Sequence, residues 1–176
     1  MAFLWKRDED ARQRAMARIS REQTLGALKV RLAGKTPATR LEALRGFARV
    51  VIVAGPAVHL AEAADAAAPH KQALLERGVV FVPFATDGAE AAQVAEGRWL
   101  ATPLAPAEWT RWLRDQMGAA GVPTGSGVYV SLRMDGRVRA SGVGLPPWGL
   151  LAASLPPTTG FFAGFLDGMD GRVGPE

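Results

Sequence analysis

Two uninterrupted apolar runs, RVVIVAG (49–55) and VVFVPF (79–84), constrain this fold more than any other feature. A strand with one wet face alternates apolar and polar residues. One that is apolar throughout is buried on both faces. The segment between them, AVHLAEAADAAAPHKQALLERG, has helical spacing. Pro56 suits the first turn of that helix, Pro69 predicts a break or kink, and Gly78 stops it. A strand–helix–strand unit of this kind makes the two strands parallel, with a right-handed crossover.

The remaining elements assemble around that unit. LKVRLA (28–33) reads as a short strand, and TPATRLEALRG (36–46) as a turn followed by one or two helical turns. Residues 86–104 read as an irregular surface insertion. PAEWTRWLRDQMG (106–118) predicts a helix whose Trp109, Trp112 and Leu113 face a sheet. GVPTGSG (121–127) is a loop. In GVYVSLRMDGRVRASGVG, the Asp135-Gly136 pair predicts a hairpin turn between strands 128–134 and 137–141. A parallel pair plus an antiparallel hairpin gives a mixed sheet in a three-layer α/β sandwich.

Residues 8–28 predict a polar helix, supported by the i,i+4 pairs Asp8–Arg12 and Asp10–Arg14. Its apolar stripe is thin, so it reads as a spacer. The expected organisation is a juxtamembrane helix or linker at 1–27, a domain at 28–158 and a tail at 159–176.

Composition removes several chemistries. The 176 residues include no cysteine, which excludes thiol catalysis, disulfides and cysteine-ligated metals. His59 and His70 leave little for a metal site. AGKT (33–36) lacks the glycine a phosphate loop needs five residues before Gly34, where Lys29 stands. No G-x-S-x-G elbow is present. No catalytic, cofactor or metal site is therefore expected. His59, early on the helix after the first buried strand, stands where an enzyme could place a catalytic group. No carboxylate or nucleophile accompanies it in sequence.

Charge is uneven. Residues 1–49 carry 12 Lys and Arg against 5 Asp and Glu, a net of +7, whereas residues 50–176 carry 9 against 12, a net of −3. A basic leading segment suits an anionic surface. MAFLWKR resembles the last turn of a membrane span meeting water, with Trp5, Lys6 and Arg7 as interfacial residues. No full transmembrane helix is expected within the chain. Arg133, Arg137 and Arg139 load the hairpin with charge. They either form its solvent face or grip a partner's carboxylates, and Trp148 in GLPPW is either a candidate partner anchor beside them or a cap on the core. Nucleic acid is not expected, because the body is acidic and no stacking motif adjoins the arginines.

Two resemblances follow. LEALRGFARVVIVAG, a helix and LLERGVVFVPF resemble the opening of a peroxiredoxin-like or thiol-reductase thioredoxin fold, in which redox cysteines open the helix after the buried strand. The matching stretch here is GPAVHLAEA (55–63), without cysteine. Gly127 stands where that fold places its cis-proline. The resemblance thus implies a thioredoxin-like scaffold without redox chemistry.

Five further stretches, ISREQTLGALKVRLA, LRGFARVVIVAGPA, LLERGVVFVPFATDG, VYVSLRMDGRVRASGVGLPPW and GFLDGMDGRV, together resemble the C-terminal soluble part of the Low PSII Accumulation protein 1 family. This resemblance implies a stromal domain tethered to the chloroplast thylakoid membrane, assisting photosystem II assembly or repair. The partner it implies is the reaction-centre core protein or another assembly factor. The alternative function is a cysteine-free enzyme or small-ligand binder, using a cleft near His59 and residues 121–127.

Overall fold

The computed structural model describes residues 22–33, 37–88 and 99–158. Its strands are β1 (Lys29–Leu32), β2 (Thr39–Arg40), β3 (Arg49–Gly55), β4 (Val79–Ala85), β5 (Ala101–Leu104), β6 (Val128–Leu132) and β7 (Val138–Val143). Its helices are α1 (Ala57–Ala67), α2 (Lys71–Glu76), α3 (Pro106–Ala120) and α4 (Trp148–Ser154). Residues 22–27 are also helical. A 3-10 turn at Ala68–His70, around Pro69, separates α1 from α2 as the sequence predicts.

The central sheet has the order β4-β3-β6-β7. The two apolar runs pair in parallel from Arg49↔Val79 to Gly55↔Ala85. β6 runs antiparallel to β3, and β7 antiparallel to β6. A strand–helix–strand unit and a hairpin–helix unit thus share one mixed sheet, the thioredoxin-like sandwich expected above.

Alternation along β3 explains the two cores. Val50, Ile52 and Ala54 face one layer, with Trp109, Trp112, Leu113 and Met117 of α3. Val51 and Val53 face the other, with Leu60 and Ala63 of α1, Leu74 of α2 and Leu151 of α4. A strand sandwiched this way cannot carry a polar face.

A second sheet, β2-β1-β5, flanks the first. It corrects the reading of 86–104 as irregular at 101–104, since β1 pairs antiparallel with β5 from Lys29↔Leu104 to Leu32↔Ala101, while residues 89–98 of that stretch lie outside the described residues. Pro103 hides this strand in the sequence, because proline fits only at a sheet edge, and β5 is one. The sheet continues onto β4 through a parallel bridge, Phe81↔Leu100, and the Phe81 amide donates to the Trp99 carbonyl at 2.6 Å.

Residues 22–27 are likewise more than a spacer. Leu25 is 1% exposed and belongs to the α3-side core. One well-placed leucine anchors this turn, although the stripe around it is thin.

Residues 155–156, after α4, are tied down by two arginines. Arg49 is buried at 2% exposure and donates to the carbonyls of Arg77 and Pro156. Arg77 Nε donates to the Leu155 carbonyl at 2.8 Å. Thr158 N–H closes the strap onto the Glu76 carbonyl at 2.9 Å.

Candidate functional site

The C-terminal end of β3 is the stretch where the resembled redox folds open a helix with cysteine. Here Gly55 ends the strand and Pro56 caps α1. The Pro56 carbonyl accepts from the His59 and Leu60 amides at 2.9 and 3.2 Å. Asp87, in the loop after β4, accepts from the Ala57 amide at 3.0 Å, matching a carboxylate to the positive end of the helix.

The His59 ring lies against two glycine backbones. A Cβ built on Gly127 would stand 2.3 Å from His59 Nδ1 and 2.4 Å from Cγ and Cε1. One built on Gly55 would meet both His59 Cδ2 and Gly127 Cα at 3.0 Å. The imidazole therefore occupies the junction of β3, α1 and β6, and residues 55 and 127 must be small. His59 Nε2 is buried there with no hydrogen-bond partner among the described residues. Among the described residues no carboxylate is hydrogen-bonded to this ring, the partner that would orient it in an acid–base relay.

The opposite end of the sheet carries the hairpin turn. Relative to expectation β6 is shorter, ending at Leu132, and β7 is shifted toward the C-terminus, running from Val138 to Val143. The loop holds three residues rather than two. Gly136 N–H donates to the Arg133 carbonyl, Arg133 N–H donates to the Arg137 carbonyl, and Gly136 takes φ +84°. A type I turn closed by a left-handed residue has this form, and glycine suits the last position.

Asp135 locks the loop. It accepts from the Arg133 guanidinium at 2.5 Å and from the Arg137 amide at 3.0 Å. Burial pushes its carboxyl pKa up. The Arg133 and Arg137 hydrogen bonds and the two guanidinium charges outweigh that, leaving it below the ordinary value.

The structure separates the residues that the sequence had grouped. Arg133 is engaged with Asp135 inside the hairpin, with only 13% of its side chain exposed. Arg137 and Arg139 are half-buried on the same hairpin. Of the two readings of Trp148, the structure overturns the partner anchor and bears out the core. Trp148 is 3% exposed, donates from Nε1 to the Ala63 carbonyl at 3.0 Å, and packs edge-on against Phe81 and Trp99. An indole with its N–H satisfied in the core is a packing residue. Trp5, Lys6 and Arg7 lie outside the described residues.

A cavity of about 330 Å³ opens beside the hairpin. It is lined by Val130 and Val143 of the hairpin, Met117 and Ala120 of α3, and Glu22. It reaches Val122 of the 121–127 loop but not His59, so the cleft anticipated near both is not where this space lies. The sequence signal for it is GAAG (118–121), whose small side chains end α3 without covering the sheet.

Among the described residues no group of three or more His, Asp or Glu side chains could hold a metal ion. No described helix is long and apolar enough to cross a membrane.

No family model matches the sequence. Solved structures do resemble the fold. A candidate electron transfer protein from Aquifex aeolicus VF5 superimposes with a TM-score of 0.51 at 10% identity, over 73% of this chain and 89% of that one. Peroxiredoxin Q of Xanthomonas campestris gives 0.47 at 15% identity, over 84% and 95%. A candidate thiol:disulfide interchange protein DsbE from Chlorobium tepidum gives 0.47 at 18%, over 69% and 85%. At such identities the likeness concerns the fold alone. The chain is thus a thioredoxin-like α/β sandwich without cysteine.

Proposed function

We propose that this chain acts without catalysis, as a protein-binding domain that assists photosystem II assembly or repair on the stromal side of the thylakoid membrane. Its partner in this reading is the reaction-centre core protein or another assembly factor. The observation that carries it is the His59 ring resting on Gly55 and Gly127, where the resembled redox folds begin their cysteine-bearing helix. A scaffold with that position filled, and with no cysteine in the chain, is suited to presenting surface rather than exchanging disulfides. The resemblance of five stretches, in order, to the Low PSII Accumulation protein 1 family supports the assignment to photosystem II. The surface in this reading is the hairpin with Arg137 and Arg139, now without Trp148. The basic N-terminal residues, including Trp5, Lys6 and Arg7, meet the anionic membrane.

The test is deletion and complementation in the photosynthetic host, with crosslinking of the protein in isolated thylakoids. Expected are reduced photosystem II in the deletion strain and crosslinks to a core subunit or an assembly factor. Normal photosystem II accumulation without the protein, through recovery from photodamage, would overturn the reading. So would insulin-disulfide reduction by the purified chain.

A further inference from the structure

The central sheet has two edges, and they are treated differently. Along β4 the outer edge is covered at Phe81 by residues 99–100. Among the described residues β7 pairs with β6 alone. The Gly144 amide donates inward to the Gly127 carbonyl at 2.9 Å. Antiparallel ladders alternate inward and outward residues, so Gly142 also points inward, whereas Ser141 and Val143 direct N–H and C=O outward.

Proteins usually blunt an open edge with charge, proline or a bulge. Here the protection stops halfway. The start of β7 has a register shift beside Ser131 and Leu132, the flanking Arg137, and an amide at Val138 that donates to Glu22. The end of the strand, Ser141-Gly142-Val143, has none of these. Val143 is 63% exposed, and the apolar cavity of about 330 Å³ opens on the same stretch.

We propose that β7 takes an extended segment of a partner protein as an added strand, pairing at Ser141 and Val143 and setting apolar side chains into the cavity. Backbone bonds from an edge combined with side-chain pockets are the signature of strand addition. A second copy of this chain fits poorly. Its β7 would bring only Ser141 and Val143 to the cavity face, too little side chain to fill it. Arg137 beside the start of the strand favours an acidic residue at the corresponding end of the segment. This inference deepens the protein-binding reading above and rests on it.

The probe is a fluorescein-labelled library of eight-residue peptides, with Leu, Ile or Phe at alternate positions and Asp at one end. It is titrated against the full chain by anisotropy. Expected is a bound member that weakens about tenfold or more when its backbone is N-methylated on the paired edge. Ser141→Pro removes one outward amide without touching the β6 ladder and should weaken binding similarly, with unchanged circular dichroism. Val143→Asp, a change at the cavity mouth, should weaken it too and serves if Ser141→Pro unfolds.

Absence of any bound member overturns the inference. So does binding indifferent to N-methylation, which marks the cavity as an apolar small-molecule site. Concentration-dependent dimerisation lost in Ser141→Pro assigns the edge to a second copy and also overturns it. Peptide capture by β7 with normal photosystem II in the deletion strain would keep this inference while removing the photosystem assignment.

Discussion

Replacing Gly127 by alanine tests whether the His59 ring is what fills the cysteine-free end of the sheet. The backbone of Gly127 does not need glycine, since its φ lies outside the left-handed region. The three atoms nearest a new Cβ all belong to His59, at 2.3–2.4 Å, well inside contact distance. Either the ring swings out or the start of β6 shifts. Overpacking of this kind costs about 1–3 kcal/mol, and a partly exposed ring that can rotate suggests about 2. For a chain of this size that is roughly 4–8 °C in melting temperature.

The decisive measurement is a double-mutant cycle by urea denaturation. In a His59→Ala background the clash is gone, so Gly127→Ala should be neutral or stabilise by about 0.4–1 kcal/mol through the unfolded chain. The coupling should be about 2–3 kcal/mol, within the range of residues in direct contact. Gly55→Ala is the control. Its Cβ would also meet Gly127 Cα at 3.0 Å, so removing the ring should rescue it only in part. If Gly127→Ala costs the same with and without His59, the ring is not the reason for the glycine and the filled-junction argument fails.

Three further outcomes follow from the contacts. Arg49→Leu strands two carbonyls that the guanidinium now satisfies, so it should cost about 2–3 kcal/mol in urea denaturation and speed proteolysis near 155–158. Asp135 has a folded pKa below the ordinary 3.8, so its stabilisation is present above that value and lost as pH falls through the lower one. The stability gap between the native chain and Asp135→Asn, about 1 kcal/mol near neutral pH, should therefore close in acid titrations below 3.8. Arg137→Gln with Arg139→Gln should change stability by only about 0.5 kcal/mol while lowering photosystem II accumulation in complemented strains. Full complementation would remove these two residues from the partner surface.

The sequence alone determined the layers. Continuous apolar runs at 49–55 and 79–84, the helix between them and the Asp135-Gly136 hairpin are local patterns, and local patterns fix element type and buried face. Trp109 and Trp112 were readable as core for the same reason. Zero cysteines exclude thiol and disulfide chemistry whatever the fold. Tertiary structure decided what depends on distant partners. Pro103 masked a strand that forms because β1 accepts it as an edge, and GLPPW concealed that Trp148 bonds a carbonyl 85 residues away. Spacing could rank Arg133 with Arg137 and Arg139, but only the folded turn shows Asp135 claiming it. His59 over Gly127 and the open edge of β7 likewise arise only when strands from separate parts of the chain meet. Side-chain periodicity encodes which face turns inward, and three-dimensional packing chooses what that face, or an unpaired edge, finds there.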